Sequence, residues 1–351
     1  MARGGRERQL ATIFNHSSKK GLKNKIVIFN RQESDYLSEY DIPIPDVHFL
    51  KNKSTIRRLI EIKLILKQFE PDIIYAWGGF EANFCYFLLP FIKGKFINGS
   101  IRHGIVKFNK KHLSRFVLLH LSKYIVANSK AGLRANKLNR GFVLYNGIEK
   151  KFNKKLPDKE KVRLLNIVFD NYNGEPIIIS VANLVPYKDY FTILKSLKNL
   201  KDKGFSFKYI AIGDGSMRKQ LEKEIIDLGL DIHVKLIGRT DKVEKYLQSA
   251  DLFVHSSKGE GCSNAILEAM SAGLPVIASN TGGTPEITGN ENGQLFEYQN
   301  TPQLTTALET HINNQEMLIL KGKRSAEIVK KRFTTEKMIA NYISILNQVV
   351  D

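Results

Sequence analysis

The second half of the chain alternates short apolar runs with amphipathic segments, and this alternation is the strongest constraint on its fold. The apolar runs predict strands at 177–181, 208–212, 233–237, 251–255, 275–278 and 293–296. The segments between them predict helices near 189–203, 216–229, 241–249 and 264–272. Strands that alternate with helices in this way form a parallel sheet that is covered by helices, the α/β class.

The first half repeats the same rhythm more weakly. Its apolar runs predict strands at 25–29, 47–50, 72–76, 95–98, 124–127 and 142–145. Helices are predicted near 5–18, 54–69, 111–121 and 129–138. The length of 351 residues is typical of two domains. Because residues 150–175 are polar, we predict one domain over 1–160 and a second over 161–333, followed by a closing helix within 334–351 that has no strand after it.

The beginning of the chain lacks an element that this class of domain normally has. A doubly wound domain opens with a strand, which a glycine-rich turn joins to the first helix. This chain instead begins at the turn, with Gly4 and Gly5 directly before the predicted helix 5–18. We therefore expect the first strand of the N-terminal domain to be missing; the alternative is that residues 1–8 are a polar tail.

A segment after the predicted strand 251–255 carries two glutamates, Glu260 and Glu268, with seven residues between them. Ser263 or Asn264 can cap the helix that follows, and the free amides of a helix N-terminus bind phosphate. Glu268 shares a helix face with Asn264 and can accept hydrogen bonds from two ribose hydroxyls. The layout therefore predicts a site for a nucleoside diphosphate, with Glu260 nearer the sugar.

This segment resembles the signature of the retaining glycosyltransferases of family 4, which have two Rossmann-like domains that face each other across a cleft, the GT-B fold. The resemblance covers the second domain strongly and the first loosely. It implies that the closing helix within 334–351 crosses back onto the first domain. It implies transfer of a hexose from a nucleoside diphosphate sugar, UDP-sugar favoured and GDP-sugar next, to an acceptor hydroxyl with retention of configuration. It requires no metal and no other cofactor. The implied acceptor is a growing cell-surface glycan, such as lipopolysaccharide or capsule, free or lipid-linked.

The resemblance also assigns roles to residues of this sequence. Glu260 is expected to bind the sugar hydroxyls, Lys188 the departing diphosphate, and His103 is placed near the transferred sugar. The residues expected around the nucleotide are Glu268, Asn264, Ser263, Ala265, Gly261, Asn183, Gly213, Gly215, Arg239, Gly4 and Gly5. The family usually has an arginine where this chain has Asn183, so Lys188 would carry more of the diphosphate charge. For His103, and for the turn Gly213–Gly215, a purely structural role is the alternative.

The positive charge is concentrated in the first half. The chain carries a net charge of +19, with 27 Lys and Arg against 11 Asp and Glu in residues 1–150, and 27 against 24 in the remainder. Segments 51–67 and 110–123 predict helices with basic and apolar faces, which either pack on the sheet or contact an anionic membrane; we favour the membrane. With no membrane-spanning run and only two distant cysteines, we expect a cytoplasmic protein that is peripheral on the inner membrane.

Three other interpretations compete with this one. One is a different use of the same two-domain fold, such as nucleotide-sugar epimerisation or phosphorolysis. A basic chain could bind nucleic acid, but no recognised RNA- or DNA-binding module is present, so we predict no nucleic-acid partner. The missing strand and Asn183 would also suit an impaired or inactive member of the family.

Overall fold

The structure is a computed structural model that describes residues 5–29, 42–52, 54–91, 93–104, 113–149, 156–170 and 172–351. It divides into two compact units, Met1–Gly147 with Thr335–Asp351, and Ile148–Thr334. The first boundary therefore lies at 147/148 and not at 160/161. The reason is the helix Asp158–Val168, which packs within the second unit, where Lys161 Nζ lies 3.0 Å from Asp251 Oδ1.

The described strands of the first unit form two parallel sheets. β1 (Ile26–Ile28) pairs with β2 (Val47–Phe49). A four-stranded sheet follows in the order β3-β4-β5-β6, formed by Ile73–Ala76, Lys95–Ile101, Tyr124–Ala127 and Phe142–Val143. The predicted absence of a first strand concerns sequence before the described residues and stays a prediction.

Helices of the first unit alternate with these strands. In chain order they are α1 (Gly5–Ser18), α2 (Thr55–Phe69), α3 (Gly79–Leu88), α4 (Leu113–Leu121) and α5 (Lys130–Ala135). α3 packs on β3 and β4, and both α2 and α4 contact α3. The sequence did not predict α3, because its apolar residues surround the helix and leave no clear periodicity.

The second unit contains one six-stranded parallel sheet in the order β12-β11-β10-β7-β8-β9. Its strands are Ile177–Val181, Lys208–Ile212, Val234–Gly238, Leu252–His255, Val276–Ser279 and Gly293–Phe296, numbered β7 to β12. Each lies within one residue of its predicted bounds, because strands that are buried on both faces are continuously apolar. The predicted parallel α/β architecture is confirmed.

The helices of the second unit and the closing helix complete the fold. They are α6 (Asp158–Val168), α7 (Tyr190–Asp202), α8 (Arg218–Asp227), α9 (Val243–Ser249), α10 (Asn264–Ser271), α11 (Thr301–Ile312), α12 (Gln315–Arg332) and α13 (Thr335–Val350). α13 belongs to the first unit, where Met338, Ile339 and Tyr342 share a core with Ile13 and Ile97. None of the described helices has both the length and the apolar composition needed to cross a bilayer.

The strand order of the second unit creates a position suited to a ligand. From β7 the chain moves outward through β8 to β9, then returns to β10 on the other side of β7 and continues to β11 and β12. The connections that leave β7 and β10 therefore run in opposite directions. In open parallel sheets, ligands bind at such a switch point, beyond the carboxyl ends of the two strands.

Candidate functional site

The sequence-predicted residues of the second unit all follow the carboxyl ends of its parallel strands, so they share one edge of the sheet. The loop after β7 carries Asn183 and Lys188, the turn after β8 carries Gly213 and Gly215, Arg239 follows β9, and the loop after β10 carries Glu260, Gly261 and Ser263. Because β7 and β10 are neighbours, the loops bearing Lys188 and Glu260 flank the switch point.

Three side chains meet between these two loops and form what we term the Lys188–His255–Glu260 cluster. Lys188 Nζ donates a hydrogen bond to Glu260 Oε1. His255 Nε2, from the last residue of β10, lies 3.4 Å from Lys188 Nζ and 3.4 Å from Glu260 Oε1. Ser257 Oγ also donates to Glu260 Oε1, at 3.1 Å. Glu260 thus has three polar neighbours: the cation Lys188, the imidazole of His255 and the hydroxyl of Ser257.

The cluster is largely removed from solvent. The side chains of Lys188 and Glu260 are 12% and 17% exposed, and His255 is buried. Burial alone would raise the pKa of Glu260, but Lys188 and His255 hold that pKa well below its usual range. Burial lowers the pKa of His255, and the nearby ammonium of Lys188 lowers it further. The arrangement therefore pairs the carboxylate of Glu260 with Lys188, and burial favours the neutral form of the His255 imidazole.

Hydrogen bonds fix the loop after β10 to its neighbours on both sides. Towards β11, Ser279 Oγ donates to Ser257 O at 2.8 Å, and Gly283 N donates to Glu260 O at 2.9 Å. Towards β7, Ser256 Oγ donates to Asp189 Oδ2 at 2.9 Å. Glu260 and Lys188 are therefore positioned by a connected backbone and not only by their mutual contact.

The Gly213–Gly215 turn supports the loop that leads to Lys188. Gly213 has φ +138°, and a Cβ there would lie 2.0 Å from Ala182 O. A Cβ at Gly215 would lie 2.3 Å from Leu184 O. Both positions need glycine because the two backbones approach each other closely. These contacts are the ones expected if the turn has a purely structural role. A role of the turn in nucleotide binding stays a prediction.

Helix α10 starts four residues after Glu260. Ser263, not Asn264, is its N-cap, and the Ser263 side chain makes no capping hydrogen bond. Asn264 and Ala265 are half-buried in the first turn, and Glu268 is buried one turn later. A helix start of this kind offers backbone amides to an anion next to the Lys188–His255–Glu260 cluster.

The other predicted residues belong to other elements of the fold. Arg239 is exposed at the end of the edge strand β9, and β8 separates that strand from β7. His103 is exposed after β4 in the first unit, and Gly5 is the exposed first residue of α1. Gly4 lies outside the described residues. The roles of these residues stay predictions.

His255 and Ser257 were not predicted as site residues. His255 belongs to the apolar run Leu252–His255, where a histidine is most simply interpreted as part of the core. Its position at the carboxyl end of a central parallel strand was the available signal, because side chains there point towards the ligand edge of the sheet.

Comparisons with known proteins agree with this geometry. A family model described as "Glycosyl transferases group 1" matches residues 166–327, which include the whole Lys188–His255–Glu260 cluster and α10. The uncharacterized glycosyltransferase MJ1178 of Methanocaldococcus jannaschii is 30% identical over 237 residues. That match covers 67% of this chain and 60% of MJ1178, so the chain spans less than two thirds of this relative.

Two further proteins match along nearly the whole chain. The lipopolysaccharide core biosynthesis glycosyltransferase LpsE of Rhizobium meliloti is 23% identical over 98% of this chain and 96% of its own length. The crystal structure of Anabaena HepE in complex with UDP has a TM-score of 0.84 at 20% identity, covering 99% of this chain and 97% of that one. This structural likeness supports the fold alone, and it confirms the predicted GT-B fold class.

Proposed function

This chain belongs to the family of glycosyl transferases group 1, and from that premise we propose which sugar transfer it carries out. The donor is a nucleoside diphosphate hexose, with uridine the favoured base, and the acceptor is a hydroxyl of a growing cell-surface glycan. The anomeric configuration of the sugar is retained. Uridine is favoured because the structural relative HepE was solved with UDP.

The observation that carries the proposal is the Lys188–His255–Glu260 cluster at the switch point beside the start of α10. A diphosphate leaving group needs positive charge and amide donors, and Lys188 with the first turn of α10 supplies both. A sugar needs fixed acceptors for its hydroxyls, and the ionised Glu260 is one. The groups that would bind the two parts of a sugar-diphosphate donor therefore lie on the same edge of the sheet.

In the proposed reaction, the bond between the sugar C1 and the diphosphate oxygen breaks, and a bond from C1 to the acceptor oxygen forms on the same face. The acceptor proton passes to the departing diphosphate, so no separate base is required. Lys188, which also pairs with Glu260, stabilises the negative charge of the diphosphate. Glu268 binds the ribose. Asn183 and Arg239 are the further donor-binding residues that we propose in the second unit, and His103, Gly4 and Gly5 are those that we propose in the first.

We further propose that the acceptor is lipid-linked and that the enzyme acts at the cytoplasmic face of the inner membrane. The name of the relative LpsE, which refers to lipopolysaccharide core biosynthesis, supports this acceptor class. The excess of 16 positive charges in residues 1–150 supports a site close to anionic lipid.

Calorimetric titration with UDP and GDP tests the donor site. Glu268→Ala removes the proposed ribose acceptor, and we expect roughly 10- to 100-fold weaker UDP binding, the loss expected from one or two hydrogen bonds to a charged group. Glu316→Ala, at an exposed position of α12, is the matched control and should bind UDP as the wild type does. Equal UDP affinity of all three proteins would refute the assignment of Glu268. NMR of the transferred sugar's anomeric proton tests retention.

A further inference from the structure

Arg102 in the first unit carries a positive charge that the described residues leave without a partner. It directly follows β4, and its guanidinium carbon lies 3.7 Å from the centre of the Trp77 ring, which follows the neighbouring strand β3. Its Nε and Nη2 atoms are buried, and neither has a hydrogen-bond partner within the part of the chain that the structure describes. Because a buried charge is normally paired, an unpaired one marks a candidate binding site.

The hydroxyl of Tyr75 does not satisfy Arg102. Tyr75 lies on β3, two residues before Trp77, and its hydroxyl is itself buried without a hydrogen-bond partner among the described residues. Burial is the main cause that lowers the pKa of Arg102. The guanidinium therefore keeps its donors for a group that these neighbours do not supply.

Two carboxylates lie in the neighbourhood, and both are close to Arg6. Glu7 raises the pKa of Arg102, whereas Arg6 lowers it. The Glu7 carboxylate is paired with Arg6, whose Nε donates to Glu7 Oε1 at 2.9 Å. Glu81 Oε2 and Arg6 Nη1 both lie beside Gly78. Arg6 thus takes up these carboxylates, and Arg102 forms no ion pair with either of them.

Trp77 and Arg102 together form what we term the Trp77–Arg102 site, at the carboxyl ends of β3 and β4. Because these strands are neighbours, the two side chains share one edge of the four-stranded sheet. Helix α1 begins at the same place, where Trp77 Nε1 donates to the backbone oxygen of Arg6 at 3.0 Å. The positive end of the helix dipole adds to the attraction for an anion. Both residues are half-buried, so one side of the site is open to solvent.

The chemistry of the site selects an oxyanion. A guanidinium offers parallel N–H donors that match the two oxygens of a carboxylate or phosphate. The Trp77 ring holds the guanidinium by a cation–π contact, so that its orientation is fixed before a ligand arrives. A neutral hydroxyl could accept one hydrogen bond but could not compensate the charge.

We propose that the Trp77–Arg102 site binds an oxyanion of the acceptor, so that the acceptor is an acidic glycan bearing carboxylate or phosphate groups. The inference rests on the proposed function in one respect, that the ligand of this site is the acceptor. The groups argued to bind the donor diphosphate, Lys188 and the start of α10, belong to the second unit. The diphosphate of the donor is the competing source of an oxyanion, and the experiment distinguishes the two.

Trp77 is the only tryptophan of the chain, so its fluorescence reports on this site directly. Titration with glucuronate or with glycerol 3-phosphate should change the emission of Trp77 to a saturating value. Glucose, glycerol and sodium chloride at the same ionic strength should not. A response to only one of the two anions supports the proposal and identifies the acidic group of the acceptor.

Saturation-transfer NMR measures the same binding without relying on Trp77. Arg102→Met should weaken the binding of the responding anion roughly 10- to 100-fold, because hydrogen bonds to a charged group are lost. Arg57→Met removes the same charge from an exposed position of α2 and should bind as the wild type does.

Urea unfolding separates a binding role of Arg102 from a structural one. Arg102→Met removes a buried charge that lacks a partner, so without ligand the free energy of unfolding should stay equal or rise. Saturating anion should then stabilise the wild type and leave the variant unchanged. An arginine with a purely structural role would instead lose stability on substitution.

Three results would overturn the proposal: equal anion binding by wild type and Arg102→Met, a loss of stability in ligand-free Arg102→Met, or UDP that displaces the anion and changes Trp77 emission in the same way. The last result would assign the site to the donor diphosphate. Normal UDP binding without anion binding would refute only this inference. Anion binding through Arg102 in a protein that binds no UDP would refute only the donor site.

Discussion

At the scale of single residues, the site depends on an ion pair between positions that are 72 residues apart in the chain, Lys188 and Glu260. Removing one partner of a buried ion pair leaves the other charge uncompensated, which typically costs about 3–5 kcal/mol. Because both side chains retain some exposure, we expect the lower end of that range or less. Substitutions here therefore act on stability as well as on donor binding.

Lys188→Ala should lower the turnover of the donor sugar roughly 100-fold, the typical effect of removing one group that stabilises developing negative charge. Turnover should fall more than donor affinity, since the charge on the diphosphate grows as the bond to C1 breaks. Steady-state kinetics of transfer or donor hydrolysis measure both quantities. Lys195→Ala, an exposed position in α7, is the control, and equal kinetics of the two variants would refute the role of Lys188.

The lowered pKa of Glu260 predicts a pH dependence of stability. A carboxyl whose pKa is lower in the folded than in the unfolded protein stabilises the fold above its unfolded pKa and loses this contribution as the pH falls. The ordinary value is 4.5, so the stabilisation should be complete at neutral pH and decline below about pH 4.5. Urea unfolding of wild type and Glu260→Gln should therefore show a difference in unfolding free energy at pH 7 that shrinks on acidification. A difference independent of pH would contradict the ion pair.

The residues of the cluster differ in how far the sequence could reveal them. Glu260 and Lys188 were predicted because motif and resemblance mark them individually. Their contact was not predictable, since it depends on β7 and β10 being neighbours, which sequence order does not show. His255 was missed because its environment, buried between two charges, arises only from the folded loops.

At the scale of elements, the buried strands were predicted well, because each is a continuous apolar run. Helices with a mostly polar sequence were predicted poorly. β7 and β8 have the predicted bounds because nearly all of their residues are buried, most of them apolar. α6 lies in a stretch that was predicted as a junction, because its sequence, DKEKVRLLNIV, is mostly polar. Its contact with α9 and the Lys161–Asp251 pair place it in the second unit, and both are tertiary contacts that the sequence does not show.

Gly213→Ala tests whether the turn after β8 supports the loop that bears Lys188. The added Cβ would lie 2.0 Å from Ala182 O at a φ of +138°, so the backbone must shift. We expect a loss of about 2–4 kcal/mol in unfolding free energy from this clash together with backbone strain, and weaker UDP binding. Urea unfolding and calorimetry measure the two effects.

Two glycine controls separate the causes of that loss. Gly174 has a φ of +88°, and an added Cβ there would meet no other atom. Gly174→Ala should therefore lose only the backbone strain of about 1 kcal/mol in unfolding free energy. Gly289→Ala has open space and no positive φ, so its stability should stay within about 0.5 kcal/mol of the wild type. If Gly213→Ala were no more harmful than Gly174→Ala, the close approach to Ala182 would not be important.

At the scale of the whole molecule, the chain separates its properties between two units. The second unit, Ile148–Thr334, contains the family match and the Lys188–His255–Glu260 cluster, and residues 151–351 are nearly balanced in charge. The first half carries most of the positive charge, and helices α2, α3 and α4 of the first unit expose large apolar side chains. Sequence predicted the charge division directly, whereas the apolar face of α3 required the structure, because its phenylalanines could equally have been core residues.

Hydrogen exchange with and without UDP tests whether the nucleotide binds to the second unit. A ligand at 100 times its dissociation constant stabilises the state that binds it by about 2.7 kcal/mol. We expect the resulting protection in the loops after β7 and β10 and in α10, because their amides open only when the site opens. α2 and α4 of the first unit should exchange as before. With its 10- to 100-fold weaker binding, Glu268→Ala should reduce this stabilisation to about 0.4–1.4 kcal/mol at the same UDP concentration. Protection confined to the first unit would place the nucleotide there and would refute the donor site argued from Lys188 and Glu260.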